Sequence, residues 1–78
     1  MKQIKVLGTG CRNCDITANV IAQAAKEAGV EVDLQKVTDI AEIMAYGVMS
    51  TPGVVVDGKV VHAGGIPAPD QVRGWIND

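Results

Sequence analysis

Gln3 to Leu7 reads as a short strand, which Gly8-Thr9-Gly10 breaks. From Cys11 onward Ile16, Val20, Ile21, Ala24, Ala25 and Ala28 recur at helical spacing, and Gly29 suits the residue just past a helix end. Val30, Val32 and Leu34 then alternate with Glu31, Asp33 and Gln35, the period of a half-buried strand. Thr38 or Asp39 can cap a second helix that carries Ile40, Ile43 and Met44 on one side and closes near Gly47.

After Thr51-Pro52-Gly53, two β-branched runs, Val54 to Val56 and Lys59 to His62, flank Asp57-Gly58. That dipeptide predicts a tight hairpin, because a type I′ turn needs positive φ at both central positions. Pro69 fits the first turn of a last helix with Val72, Trp75 and Ile76 on its inner face, and Gly74 weakens that helix by about 1 kcal/mol relative to Ala. The predicted order is β-α-β-α-β-β-α. The first two strands, joined through a helix, should run parallel and the last two antiparallel. An α/β fold follows: a four-stranded mixed sheet flanked by three helices. With no linker, repeat or low-complexity tract, a single domain over 1–78 is expected.

Composition narrows the function. Hydrophobic residues make up 47% and charged residues 21%, the balance of an ordinary globular chain. A net charge of -2 argues against nucleic acid or an anionic membrane as main partner, since both demand a basic face. Phe is absent and Tyr46 and Trp75 are the only aromatics, so there is no platform for stacking bases. No apolar run approaches the roughly 18 residues that span a bilayer. The opening Met1 to Lys5 does not resemble an export signal, and a cytoplasmic location is expected.

The candidate chemistry lies in Cys11 and Cys14. Their spacing is C-x-x-C, too short a loop to brace the domain, and it points to redox chemistry or metal binding. Cys11 falls where the first strand gives way to the first helix. There the unpaired N–H groups and the helix dipole stabilise a thiolate, and Arg12 adds a nearby cation. Residues three apart on a helix are about 5–6 Å apart, within disulfide range. Cys11 would then attack a substrate disulfide and Cys14 would resolve the mixed disulfide. Thr51-Pro52 is the second element: a proline before a buried strand marks its first residue or a cis bond. In this topology Pro52 would face the cysteines, and the backbone of Thr51 would pair with an extended substrate.

Cys11-Arg12-Asn13-Cys14, Tyr46-Gly47-Val48-Met49-Ser50-Thr51-Pro52, Val54-Val55-Val56-Asp57-Gly58-Lys59 and Gly64-Gly65 together resemble a small thioredoxin/glutaredoxin-like protein. Gly8-Thr9-Gly10-Cys11 is similar to the short prokaryotic redox-active disulfide branch of that superfamily. The resemblance covers essentially the whole chain. It implies a minimal thioredoxin-like fold, a cis Thr51–Pro52 bond, Cys11 as nucleophile and Cys14 as resolving thiol. It also implies a protein disulfide as substrate and no metal or organic cofactor, the electrons being stored in a Cys11–Cys14 disulfide. An upstream flavoprotein disulfide reductase is the implied electron donor. Gly10, Arg12 and Asn13 replace the residues thioredoxins place around their cysteines and would tune the potential. Lys5 stands where thioredoxins carry a buried acid, and Ile66-Pro67 follow Gly64-Gly65 where glutaredoxins make polar contacts.

The rival reading is a soft-metal carrier using the same cysteines. Such ferredoxin-like domains follow β-α-β-β-α-β and end in a strand, whereas this chain ends in a helical pattern. A third reading is a binding module whose dithiol is inert. Gly8-Thr9-Gly10 lacks the third glycine of a dinucleotide loop and more simply lets backbone turn tightly beside the sulfur. His62 reads as a plain strand residue and Trp75 as a packing anchor for the last helix. Met44 and Met49 are both candidates for the edge of a substrate groove, with Met44 fitting the core better. Tyr46 should pack near the end of the second helix with its hydroxyl at the surface, and Asp39 and Glu42 read as helix-start charges.

Overall fold

The first strand forms as β1 (Lys2–Leu7) and lies inside a four-stranded sheet. In this computed structural model, which describes residues 2–8 and 12–77, there follow α1 (Arg12–Ala28), β2 (Val32–Val37), α2 (Ile40–Ala45), β3 (Gly53–Val56), β4 (Lys59–Ala63) and α3 (Pro69–Asn77). The strands are ordered β2-β1-β3-β4. β1 runs parallel to β2 and antiparallel to β3, and β3 is antiparallel to β4. This is the predicted element order and mixed sheet.

Alternation along the strands sends successive side chains to opposite faces. Ile4, Val6 and Val54 pack with Cys14, Ala18 and Ile21 of α1 and with Val72 and Ile76 of α3. Leu7, Val37 and Val55 pack on the other face with Ile43 and Val48. Trp75 packs against the first cluster as expected, its ring 5.9 Å from that of His62. His62 lies in β4, with Nε2 2.9 Å from the Gly65 carbonyl oxygen.

The second strand begins two residues later than its alternation suggests. Gly29, at φ 68°, ends α1 in a left-handed turn; its N–H donates to the Lys26 carbonyl and that of Val30 to the Ala25 carbonyl, at 3.2 and 3.0 Å. This pattern closes the last turn of a helix and uses up Val30, which packs on the α1 core. Pairing with β1, from Lys2 opposite Val32 to Leu7 opposite Val37, then carries β2 beyond Leu34.

α2 departs further. Asp39 is its N-cap, accepting from the Ala41 N–H at 2.9 Å, but of the three apolar residues expected to share a face only Ile43 is buried. Ile40 is 61% and Met44 70% exposed, so Met44 is not a core residue. The helix is under two turns long and meets the sheet through Ile43 alone, leaving its neighbours to solvent. Tyr46 is half-buried and packs at the end of α2 as expected, and Lys5 Nζ donates to its hydroxyl oxygen at 3.3 Å.

Asp57 (φ 50°) and Gly58 (φ 85°) supply the two positive angles of the hairpin turn. At α3, the Gln71 side chain accepts from the Ala68 N–H at 3.0 Å, half of a capping box ahead of Pro69.

Candidate functional site

β1 ends against β3, with Leu7 paired to Gly53. One residue on, Gly8 is buried and its N–H donates to the Val37 carbonyl at 2.9 Å, so it lies between the end of β2 and the approach to β3. The first turn of α1 is set over this point. Arg12 and Asn13 are exposed, while Cys14 points inward and is only 4% exposed. The Cys14 sulfur occupies the space that a Cβ on Gly8 would take, and Thr51 Cβ lies 3.8 Å from the same point. A glycine is what lets sulfur and loop meet there, as the reading of Gly8-Thr9-Gly10 anticipated for this one residue.

The Thr51–Pro52 peptide bond is cis. Pro52 is fully buried just ahead of β3, where a residue without an N–H costs the ladder nothing, and Thr51 is exposed. The Pro52 carbonyl accepts from the Gly64 N–H at 2.9 Å, which fastens this turn to the end of β4. Val48 packs tightly on Gly53, where an added Cβ would come within 3.0 Å of Val48 Cγ1.

Two polar side chains near the head of α1 have partners close by. The buried Thr17 hydroxyl donates to the Asn13 carbonyl at 2.7 Å, and Asp15 pairs with Lys36 of β2 at 2.7 Å. An acid in the first turn also complements the helix dipole. Lys5, on the α2 face of the sheet, stands 5.9 Å from the centre of the Tyr46 ring. Among the described residues, no three His, Cys, Asp or Glu side chains gather as a metal site.

The structure therefore brings Cys14, Thr51 and Pro52 to one end of the sheet, with Arg12 and Asn13 at the head of the same helix. Gly10 and Cys11 lie outside the described residues. Beside Thr51 is a groove of about 400 Å³ lined by Ile40, Ile43, Met44, Val48 and Met49. Met49 is 99% exposed at its edge, the position expected for it. Ile40 and Val48 carried no signal in the sequence, because periodicity does not separate a groove wall from a core residue. A larger groove, about 520 Å³ between α1 and α3, holds none of the site residues. No helix among the described residues is long and apolar enough to cross a membrane.

Comparison with known proteins places this arrangement. A family model described as Thioredoxin domain matches residues 2–77. A thioredoxin of Methanocaldococcus jannaschii is 37% identical over 73 residues, covering 94% of this chain and 84% of its own. A thioredoxin of Methanothermobacter thermautotrophicus is 29% identical over 73 residues, covering 94% and 95%. The solved structure of a mutant thioredoxin from Halobacterium salinarum superposes with a TM-score of 0.71 over 97% of this chain and 72% of that one; at 22% identity it attests the fold alone. Since the family pattern runs from Lys2 to Asn77 and its relatives align along most of their length, this chain belongs to the thioredoxin-domain family.

Proposed function

We propose that this protein exchanges electrons with protein disulfides through Cys11 and Cys14. Family membership carries the general activity, thiol–disulfide oxidoreduction. The observation that supports the finer reading is the packing of the Cys14 sulfur on Gly8 beside Thr51, at the mouth of the loop that carries the cis bond.

Cys11, which directly precedes Arg12 in the sequence, is the thiolate; Gly10, Arg12 and Asn13 tune it. It attacks one sulfur of the substrate disulfide. The substrate S–S bond breaks, a Cys11–substrate disulfide forms, and the first substrate thiolate leaves and takes a proton. Cys14 then gives up its proton and attacks the Cys11 sulfur, releasing the second substrate thiol. Two electrons have moved to the substrate, whose two thiolates take one proton from Cys14 and one from water, and the Cys11–Cys14 disulfide remains. Buried Cys14 is suited to the second step, since a partner tucked beneath the surface does not meet the substrate first. The Thr51 backbone holds the substrate chain extended. The reduced Cys11–Cys14 dithiol carries the electron pair, so the exchange calls for no metal or organic cofactor. A flavoprotein disulfide reductase in the cytoplasm returns the electrons.

Cys14→Ser tests the sequence of steps. The variant should accumulate a mixed disulfide with a reducible protein disulfide, linked through Cys11 and released by dithiothreitol, and Cys11 should titrate below the ordinary cysteine value of about 8.5. No trapped species, or stoichiometric tight Cu(I) or Zn(II) binding without disulfide reduction, would overturn the proposal.

A further inference from the structure

Beyond β4 the chain turns through Gly64 and Gly65, both in the left-handed region at φ 84° and 74°. Glycine enters that region freely and loses more freedom than any other residue when held there. Two in succession therefore keep one shape only if something fastens them. Two hydrogen bonds do so. The Gly64 N–H donates to the Pro52 carbonyl at 2.9 Å, and His62 Nε2 lies 2.9 Å from the Gly65 carbonyl oxygen. A carbonyl only accepts, so the imidazole proton belongs on Nε2. The turn also sits close to the segment leading to Thr51: a Cβ on Gly64 would come within 3.2 Å of Ser50 Cβ.

The strand aims the ring. Val54 pairs with His62 but Val55 with Val60, so β4 carries Val61 as an extra residue just ahead of His62. Such bulges re-aim a side chain. His62 thereby shares the face of Val54, where the Trp75 ring of α3 stands 5.9 Å away and tilted by 50°. With α3 on one side and the turn on the other, the half-buried imidazole is placed to span residues 62–65.

We infer that His62 is a positioning residue for the substrate strand: it fixes the Gly64-Gly65 turn, that turn holds the Pro52 carbonyl, and the adjoining Thr51 backbone is thereby presented in one orientation. The inference rests on the proposed function, in which the Thr51 backbone holds the substrate chain extended. His62 touches no reacting atom. Its effect is to order the docking edge before the substrate arrives, so that less freedom is lost on binding. A disulfide with no peptide chain to align gains nothing from this.

The experiment uses the full chain and two substrates, a disulfide-linked peptide dimer and the small disulfide of mercaptoethanol. His62→Phe keeps a ring beside Trp75 and removes the donor. For the peptide, kcat/KM should fall about threefold to tenfold, the size of one net hydrogen bond, and mostly through KM. The mercaptoethanol disulfide should be reduced as before. His62→Gln, whose amide is a donor of similar reach, should restore the peptide rate. Amide hydrogen exchange at Gly64 should quicken in His62→Phe and not in His62→Gln. NMR of the wild-type imidazole nitrogens should show the Nε2–H tautomer. A peptide rate untouched by His62→Phe, or a loss equal on both substrates, overturns the positioning role. So does the Nδ1–H tautomer in the wild type, a result that needs no variant to fold. If the wild-type chain reduces neither disulfide, it is the underlying function that fails.

Discussion

On one face of the sheet, Ile4, Val6 and Val54 are roofed by two helices, whose inner residues Ile21, Val72 and Ile76 are almost fully buried. On the other, Leu7, Val37 and Val55 are covered by Ile43 of a short helix and by Val48 of the segment after it. The first face is built as a core and the second as a support for a loop. Apolar side chains left in water cost little while they stay scattered, and here they cluster beside Thr51. The thinner face is thus the one suited to meeting another molecule, and the thicker one holds the molecule folded while it does so.

Truncation on each face sharpens that contrast. Ile21→Ala should cost about 3–4 kcal/mol and Ile43→Ala about 2 kcal/mol, within the range for Ile→Ala in cores. In a domain of this size about 1 kcal/mol shifts Tm by roughly 4–8 °C, so calorimetry resolves the two. Equal losses would break the comparison and make the α2 face a full core. Gly8→Ala tests the junction between the faces. Its φ lies outside the left-handed region, so the cost is steric: the new Cβ displaces the Cys14 sulfur. A loss of about 1–3 kcal/mol in denaturant melts is expected, with slower disulfide exchange. Unchanged stability would mean that the sulfur is free to move away. Gly74→Ala is the smallest effect and opposite in sign. Gly74 is an exposed interior residue of α3 with nothing within 4 Å of an added Cβ, so alanine should stabilise by about 0.5–1 kcal/mol. A lower Tm would contradict that reading of the helix.

Much of this was open to inspection in the chain itself. The Asp57-Gly58 turn, the stop at Gly29 and the start at Pro69 are set by local backbone preference, and each forms where its residues ask for it. Local preference does not say how long a strand continues. β2 reaches Val37 because β1 offers partners that far, a property of two segments at once. Nor does it say which side of a short helix is covered. Ile40, Ile43 and Met44 satisfy the same period, yet one is buried and two are not. At the candidate site, Cys14 and Thr51-Pro52 could be singled out by residue type and spacing. The contact among Gly8, Cys14 and Thr51 joins segments far apart in the chain and exists only once the sheet has closed.

By itself, the order of residues determined the elements and their sequence, the hairpin, and the family to which the chain belongs, because these follow from torsional preference, periodicity and motif spacing. Tertiary structure decided the depth of Cys14, its seat against Gly8, the thin covering of the α2 face and the groove beside Thr51. Burial depends on what another part of the chain places on top, and no local pattern encodes that.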